Sequence, residues 1–324
     1  MLEEKSFPSS PVIDVADIDA CPFEKMKITS SPRTRVYVKI EDGCESKCTY
    51  CIIPKARGKI RSKAPSDVLE EVRDLALSGV CEVVLTGIET ASYGADLDGT
   101  SLIDIIEEIA KIDGIKRIRL GSLDPSSISE DFVKRAAQEN KFARHFHLSM
   151  QSGSSSVLAR MKRKYNARQA MEKIKLIRRY MPDAAFTTDM MVGFPSESED
   201  EFLETVEFSK EVGFLFMHIF PYSKREGTPA ANYAGQIEES EKHRRVKILC
   251  AVRDELSKYI TSSLLHVGTE TDVLFETWDG EYAKGHTSNF IEVRARCTGD
   301  VRSLIKRVRI TDNSCAICTA DIIL

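Results

Sequence analysis

Three cysteines, Cys44, Cys48 and Cys51, are spaced CxxxCxxC near the beginning of the 324-residue chain. Three thiolates this close together can hold three corners of a cubane iron–sulfur cluster and leave its fourth iron open to a small chelating molecule. A structural zinc site usually takes four ligands in paired spacing, and no His or further Cys is near enough in sequence to complete one. The spacing therefore favours a cluster, with reduced thiols or a zinc site completed by a distant residue as the alternatives.

The remaining cysteines carry no comparable signal. Cys315 and Cys318 form a CxxC pair without a second pair, and we interpret them as ordinary residues of the last β-segment. The first residues lack the basic and apolar regions of a secretory signal, and no apolar run approaches the roughly 20 residues that span a bilayer. We therefore expect a cytoplasmic protein, with no membrane segment, whose thiols are reduced.

Basic residues are concentrated in two segments, although the whole chain has a net charge of −4 and a pI near 6.0. Neither segment contains an acid, and both follow predicted strand ends, so they could neutralise RNA phosphates at a common opening. A solvated basic surface is the alternative. The candidate RNA-binding residues are Lys55, Arg57, Lys59, Arg61, Lys63, Arg160, Lys162, Arg163, Lys164 and Arg168.

Six short β-rich runs alternate with helical stretches and must position these residues. This order is typical of right-handed parallel βαβ units, and six strands are too few for a complete eight-stranded barrel. The sequence therefore predicts an α/β fold, either an open doubly wound sheet or a partial barrel, with the cysteines directly after the first strand. The runs cover 36–40, 82–86, 117–121, 145–150, 186–193 and 214–220.

The chain is predicted to contain a linker or arm, an α/β domain, a connecting helix and a small antiparallel β-barrel. The last segment has seven Lys and Arg against nine Asp and Glu. RNA contact there would depend on a local face such as Lys306, Arg307 and Arg309, or on the polar and aromatic residues of His286–Phe290. The four predicted ranges are, in order, 1–34, 35–237, 238–263 and 264–324.

Five motifs, in order along the chain, resemble the signatures of radical S-adenosylmethionine (SAM) methylthiotransferases. The segments GIETASYG and KRIRLGSLDPSSI are similar to the branch that modifies N6-threonylcarbamoyladenosine at tRNA position 37. The resemblance covers about residues 34–324. The motifs are GCESKCTYCIIPKARGKIRS at 43–62, LTGIETASYG at 85–94, HLSMQSGSSSVLARMKRKY at 147–165, TTDMMVGFPSESEDEF at 187–202 and HIFPYSKREGTPAA at 218–231.

The resemblance implies a six-stranded partial (βα)6 radical SAM barrel followed by a TRAM-like RNA-binding β-barrel, with a [4Fe-4S] cluster whose free iron binds SAM. The residues that it assigns to the cluster are Cys44, Cys48 and Cys51. It assigns Tyr50 to the adenine of SAM, and Gly87 and Glu89 to the methionine amine. The residues that it assigns to the ribose and adenine are Ser122, Gln151, Asp189, Val192 and Gly193.

The implied activity is tRNA modification, by methylthiolation at C2 of N6-threonylcarbamoyladenosine next to the anticodon. This carbon carries an unreactive C–H bond that no acidic or basic side chain can activate, so a radical from SAM is needed, and a second SAM supplies the methyl group. The implied partners are the tRNA anticodon stem-loop, an electron donor such as flavodoxin or ferredoxin, and a separate sulfur-donating domain.

The resemblance has one large departure. The family normally carries a preceding domain whose three cysteines hold a second cluster, whereas only Cys21 precedes the motif here. We therefore expect a truncated form in which SAM cleavage survives. The alternatives are methylthiolation of an aspartate in a ribosomal protein and a non-catalytic RNA-binding or iron–sulfur remnant.

Overall fold

The computed structural model describes residues 17–24, 26–28 and 34–323, so the predicted arm at 1–34 lies mostly outside the described residues. The described part of the chain forms fourteen strands and eight α-helices, and none of these helices is long and apolar enough to cross a membrane. The strands are β1 (Arg35–Lys39), β2 (Glu41–Asp42), β3 (Arg61–Ser62), β4 (Glu82–Thr86), β5 (Arg117–Leu120), β6 (Ser122–Leu123), β7 (His145–Gln151), β8 (Ala185–Val192), β9 (Phe216–Pro221), β10 (Glu270–Trp278), β11 (Tyr282–His286), β12 (Glu292–Arg296), β13 (Ile305–Asp312) and β14 (Cys318–Ile322). The helices are α1 (Ile53–Arg57), α2 (Pro65–Leu77), α3 (Leu102–Ala110), α4 (Glu130–Gln138), α5 (Ser155–Arg160), α6 (Ala167–Tyr180), α7 (Glu199–Val212) and α8 (Glu239–Leu264).

Six main parallel strands build the larger β-structure, and they match the six runs expected from the sequence. Strands β1, β4 and β5 pair in that order, and β6, β7, β8 and β9 pair in that order. A parallel bridge between Ile118 and Phe142 joins the two groups. Strands β1 and β9 are the outer strands of this described arrangement, which leaves a lateral gap between them. The six-stranded partial barrel is therefore confirmed.

Helices cover one face of these strands because successive strand side chains point to opposite faces. On β9, Met217 is buried in the core that the helices share, whereas Phe216 and His218 point to the other face and are exposed. Local signals set the helix ends. Proline occupies the first position of α2, and Ser198 forms a capping box with Glu201 at the start of α7.

Helix α8 leads into a closed five-stranded barrel, ordered β10-β11-β12-β14-β13. Four of its five pairings are antiparallel, in line with the small antiparallel barrel expected from the sequence, and β12 and β14 run parallel. The reason is geometric. A closed ring with an odd number of strands cannot alternate direction throughout, so at least one neighbouring pair must be parallel. The domain limits at 34, 237 and 263 stay a prediction.

The small barrel covers the N-terminal ends of the larger barrel's strands. Glu82, the first residue of β4, is fully buried there, 3.1 Å from Arg117 Nη1 and 3.0 Å from Arg119 Nε. The Arg117 guanidinium also donates to the carbonyl oxygens of Asp272 in β10 and His286 in β11. The Arg119 guanidinium donates to the carbonyl oxygens of Thr287 and Ser288, in the loop between β11 and β12. One buried carboxylate thus holds two arginines that bind the backbone of the small barrel.

Phe290 lies at the centre of the same interface. Its ring stacks between the imidazoles of His145 and His286, each at a centroid distance of 4.5 Å. The guanidinium groups of Arg35 and Arg119 lie 5.2 and 4.9 Å from its centroid. A ring enclosed in this way has no free face for a base, so the aromatic contact expected of Phe290 is made within the protein.

Candidate functional site

The cysteine loop runs from β2 to α1 at the C-terminal end of the larger barrel, opposite the small barrel. Gly43 begins it with a φ of +94°, and a Cβ there would lie 1.9 Å from the carbonyl oxygen of Lys59. Only glycine fits both conditions. The Cys44 N–H donates to the Gly58 carbonyl at 3.1 Å, and the Cys51 N–H donates to the Cys48 carbonyl at 3.2 Å. These bonds fold the loop back on itself and bring its three thiols towards one another.

The three thiols are at least partly shielded from water. Cys48 is buried, and Cys44 and Cys51 are half-buried. Burial raises the pKa of the Cys44 and Cys51 thiols, and the three groups also interact electrostatically with one another. Within the described ranges, no three His, Cys, Asp or Glu side chains converge as ligands of a single metal ion. Three thiols in one short loop are the type of donor that iron–sulfur clusters take.

A buried arginine stands beside the cysteine loop, and the sequence did not assign it to this position. Arg163 Nη1 lies 3.4 Å from Cys48 Sγ and 3.4 Å from the Tyr50 hydroxyl. Its Nη2 donates to Asp124 at 2.7 Å and to the Ser149 carbonyl at 2.9 Å. The side chain therefore brings a fixed positive charge to the thiols. Its basic character was visible in the sequence, but its burial was not.

The loop after β4 carries Gly87 and Glu89. A Cβ at Gly87 would lie 2.5 Å from Glu41 Oε2, and this same oxygen accepts the Glu89 N–H at 2.8 Å. The Glu89 Oε1 atom is buried and has no hydrogen-bond partner among the described residues. Burial and the charge of Asp124 raise the pKa of Glu89 to about 7, and the carboxyl interacts electrostatically with Cys44. An unpaired acceptor in this position suits an ammonium group.

A cavity of about 570 Å³ opens next to the cysteine loop. Gln151 projects into it from the end of β7 with a φ of +68°, a left-handed conformation that is uncommon for a residue with a side chain. Tyr50, Cys51, Met191 and Phe220 also line it. Ser122 is half-buried in β6, at the strand end. The cavity thus combines aromatic, apolar and amide groups beside the thiols.

Two predicted SAM residues lie behind the cavity wall. The Val192 side chain is fully buried in the core that the helices share, and the neighbouring Met191 lines the cavity instead. The Gly193 N–H donates to Glu197 Oε2 at 2.6 Å, and a Cβ at Gly193 would lie 2.4 Å from Lys242 Cγ. Gly193 therefore serves the packing of α8 against the turn after β8, and the structure does not bring these two residues to the others.

Asp189 lies one layer below the cavity rim, because it shares a strand face with Met191. Its Oδ2 is 3.2 Å from His147 Nε2, and its Oδ1 is 3.4 Å from His218 Nδ1. Burial acts to raise the pKa of Asp189, but the hydrogen bond and charge of His147 and the charge of His218 outweigh it and lower the pKa. Neither histidine was singled out from the sequence, although each begins a motif.

The ten candidate RNA-binding residues separate into exposed side chains and side chains paired with carboxylates of this chain. Lys63 retains 3% of its exposure, which places it out of reach of an RNA phosphate and corrects its assignment. The less exposed residues, all paired, are Arg61, Lys63, Arg160 and Arg163. The exposed ones are Lys55, Arg57, Lys59, Lys162, Lys164 and Arg168, and two of them, Arg57 and Arg168, also pair with Asp42 and Glu172 at 3.6 and 3.8 Å.

Comparisons with known proteins match the chain to one superfamily. Residues 38–209 match the Radical SAM superfamily. The chain is 37% identical over 307 residues to the threonylcarbamoyladenosine tRNA methylthiotransferase MtaB of Bacillus subtilis, which corresponds to 93% of this chain and 68% of that protein. It is 39% identical over 266 residues to the tRNA-2-methylthio-N(6)-dimethylallyladenosine synthase of Acetivibrio thermocellus, 82% of this chain and 55% of the relative. It is 37% identical over 265 residues to the ribosomal protein uS12 methylthiotransferase RimO of Clostridium perfringens, 82% of this chain and 59% of the relative.

The chain thus spans 55% to 68% of the length of these three relatives. Among solved structures, the radical SAM methyltransferase TsrM from Kitasatospora setae, with cobalamin and a [4Fe-4S] cluster bound, superposes with a TM-score of 0.51 at 16% identity, over 60% of this chain and 38% of that one. This structural likeness supports the partial-barrel fold alone. Together with the cysteine loop, the superfamily match over more than half of the chain and the three relatives show that it belongs to the radical SAM superfamily and, within it, to the methylthiotransferases.

Proposed function

We propose that this chain cleaves SAM at a [4Fe-4S] cluster and takes part in methylthiolation at C2 of N6-threonylcarbamoyladenosine 37 in tRNA. The observation that carries the proposal is the loop of three thiols beside a cavity and an unpaired buried carboxylate oxygen. The substrate branch is supported by identity to MtaB along 93% of this chain. When bound, the cluster would supply the electron that cleaves SAM, and SAM would supply the 5′-deoxyadenosyl radical that reacts with the C–H bond.

The residues at the rim of the larger barrel fit this cofactor pair. Cys44, Cys48 and Cys51 would ligate three irons, and thiolates are the ligands that such clusters take. The guanidinium of Arg163 would stabilise the negative charge of the Cys48 thiolate, since a nearby cation favours the charged form. Glu89 Oε1 would accept a hydrogen bond from the methionine amine of SAM.

The cavity would hold the remainder of SAM. Tyr50 offers an aromatic face and Gln151 an amide for the adenine and ribose, while Met191 and Phe220 keep the wall apolar. An apolar wall limits the access of water to a reactive carbon radical. Ser122 is placed at the adjoining strand end and could extend the polar side of the cavity.

The exposed basic residues would position the RNA. Lys55, Arg57 and Lys59 lie in and just after α1, next to the cysteine loop, and Lys162 and Lys164 follow α5. Contacts of this kind neutralise phosphates without selecting a sequence, so binding should weaken steeply with salt. A reductant such as flavodoxin or ferredoxin and a separate sulfur-donating domain complete the proposed reaction.

The test is anaerobic reconstitution of the chain with iron and sulfide, followed by quantitation of both and of 5′-deoxyadenosine after addition of SAM and dithionite. We expect about four irons per chain, in line with one cubane cluster, and 5′-deoxyadenosine production. A matched variant, Cys44→Ser, should lose both, whereas Cys315→Ser should keep both. Protein that binds zinc, or that holds a cluster without cleaving SAM, would contradict the proposal and favour a non-catalytic remnant.

A second candidate is methylthiolation of an aspartate in a ribosomal protein, favoured by the 37% identity to RimO. The same thiols and cavity would serve both substrates. Mass spectrometry of tRNA nucleosides and of ribosomal proteins, from cells with and without the gene, separates the two. Loss of the 2-methylthio nucleoside supports the tRNA substrate, and an unchanged nucleoside with an altered ribosomal protein supports the second.

A further inference from the structure

A continuous row of polar side chains crosses the inner face of the larger barrel beneath the cavity. His145 Nε2 lies 2.8 Å from the Thr187 hydroxyl, which lies 2.9 Å from His147 Nδ1. The other nitrogen of His147 holds Asp189, and Asp189 faces His218. Each member therefore fixes the orientation of the next, from the buried His145 to the exposed His218. The cofactor residues described above do not use the outer end of this row.

The geometry orients His218 towards the interior of the barrel. Asp189 and His218 are direct partners in the β8–β9 register. His218 lies on the same strand face as Phe220, which lines the cavity, about 7 Å further along the strand by the usual rise per residue. Its Nδ1 faces Asp189, and its Nε2 has no hydrogen-bond partner among the described residues. The His218 side chain is 71% exposed, and its Nε2 is free to bind a ligand.

One aromatic side chain contacts the His218 ring, and two further aromatic rings are exposed on the outer strands. Phe220 contacts the His218 ring edge-on at 5.7 Å. Tyr37 on β1 and Phe216 on β9, the two outer strands, are each 48% exposed, and the Arg253 guanidinium of α8 lies 5.4 Å from the Phe216 ring centroid. Exposed aromatic rings are suitable surfaces for a purine, because every base has a face that can stack. Phe220, on the cysteine side of His218, therefore provides a stacking surface with one oriented polar group next to it, on the side away from the cysteine end.

The orientation of an adenine stacked on Phe220 follows from its own geometry. The C2–H and C6–N6 bonds diverge from the six-membered ring. Because C2 and C6 are separated by one ring atom, a base stacked on Phe220 that presents C2 to the cysteine end directs its N6 substituent away from that end. The side chains in that direction on β8 and β9 are Asp189 and His218.

We propose that His218, oriented by Asp189, recognises the N6 substituent of the target adenosine and selects a polar ureido group that carries a carboxylate over an apolar prenyl group. This inference rests on the proposed function and adds the residue that sets substrate choice. An unpaired imidazole nitrogen against a prenyl group loses the hydrogen bonds that it made to water, whereas a ureido or carboxylate group replaces them. Asp189 acts through His218 and is a positioning residue for this purpose.

The test measures binding of three synthetic anticodon stem-loop RNAs to the reconstituted protein by fluorescence anisotropy. The RNAs differ only at position 37, which is unmodified adenosine, N6-threonylcarbamoyladenosine or N6-dimethylallyladenosine. We expect the wild type to prefer the threonylcarbamoyl RNA over the dimethylallyl RNA by about tenfold, the value of one good hydrogen bond. His218→Phe should reduce this preference to less than about twofold, with unchanged affinity for the unmodified RNA.

Two further variants keep the test decisive. His218→Gln retains a polar end and should keep most of the preference, and Asp189→Asn should lose part of it. His243→Phe, the same substitution on the exposed surface of α8, should leave all three affinities unchanged. A wild-type preference that His218→Phe leaves intact would overturn the role of His218 while the proposed function stands. A wild type with no preference would overturn both the role of His218 and the threonylcarbamoyl substrate.

Discussion

Glu82 provides the sharpest test of how the two β-structures are joined. This carboxylate is fully buried and lies within 3.6 Å of nitrogens of Arg35, Arg117 and Arg119. Substitution by glutamine keeps the size of the side chain but removes its charge. Two of the three guanidinium groups then retain hydrogen bonds to carbonyls of the small barrel but lose their counter-ion.

The expected cost follows from the burial of these charges. Removing one partner of a buried ion pair destabilises a protein by about 3–5 kcal/mol, because the remaining charge is left uncompensated. The amide of glutamine can still accept one hydrogen bond, so we expect the lower end of this range, about 3 kcal/mol. At about 2 °C per kcal/mol for a large chain, Tm should fall by about 6 °C.

Urea unfolding of the apoprotein measures this cost with two probes. Circular dichroism follows the whole chain, and fluorescence of Trp278, the single tryptophan of the sequence, follows the small barrel. The two transitions should coincide in the wild type and separate in Glu82→Gln, with the small barrel unfolding first. Glu108→Gln, at an exposed ion pair with Lys111, is the control and should change stability by less than about 0.5 kcal/mol. A Glu82→Gln protein with wild-type midpoints would refute the assignment of the junction to this buried charge.

Three further predictions concern the cysteine loop and the base of the larger barrel. Gly43→Ala forces a Cβ to within 1.9 Å of the Lys59 carbonyl oxygen, so reconstituted protein should bind less iron; Gly280→Ala, also at positive φ but with no atom within 4 Å, should bind the wild-type amount. Arg163→Gln should retain less iron and sulfide than Arg163→Lys, because only the lysine keeps a cation near Cys48; equal losses would contradict a charge effect. Burial lowers the pKa of His145 well below its ordinary 6.5, so the folded protein holds it neutral. The free energy of unfolding of the protein should therefore fall as pH drops below about 6.5, where the unfolded chain takes up a proton on His145 and the folded chain does not. Unfolding curves of His145→Gln between about pH 7 and 5 should lack this part of the decline.

Features encoded in contiguous residues were predictable from the sequence. The CxxxCxxC spacing places three thiols in one short loop, and the run 82–86 coincides with β4 because Val83, Val84 and Leu85 are apolar and buried on both faces. Pro65 and the Ser198 capping box set helix starts through local geometry. These signals depend on neighbours in the chain, so no tertiary information was needed to find them.

Features that depend on distant residues were not predictable. The sequence shows that Arg163 is basic, but its position beside Cys48 requires the turn after α5 to pack against the cysteine loop. The choice between Met191 and Val192 for the cavity depends on which face of β8 the helices cover. Phe290 belongs to the junction only because the small barrel docks at the N-terminal strand ends. In each case the residue type can be read from the sequence, but tertiary packing decides what surrounds the side chain.

The small barrel also closes the larger barrel at the N-terminal ends of its strands, so that the barrel is open at the cysteine end and closed at the other. The relative exposure of Glu82, Arg117 and Arg119 is at most 5%, so the closed end of the barrel is shielded from solvent even though charged side chains form it. Within the described part of the chain, the rim and the lateral gap between β1 and β9 are left as routes into the larger barrel. A carbon radical formed at the proposed SAM site would be screened from solvent on this side by the small barrel, which would contribute to the chemistry without touching any reacting atom.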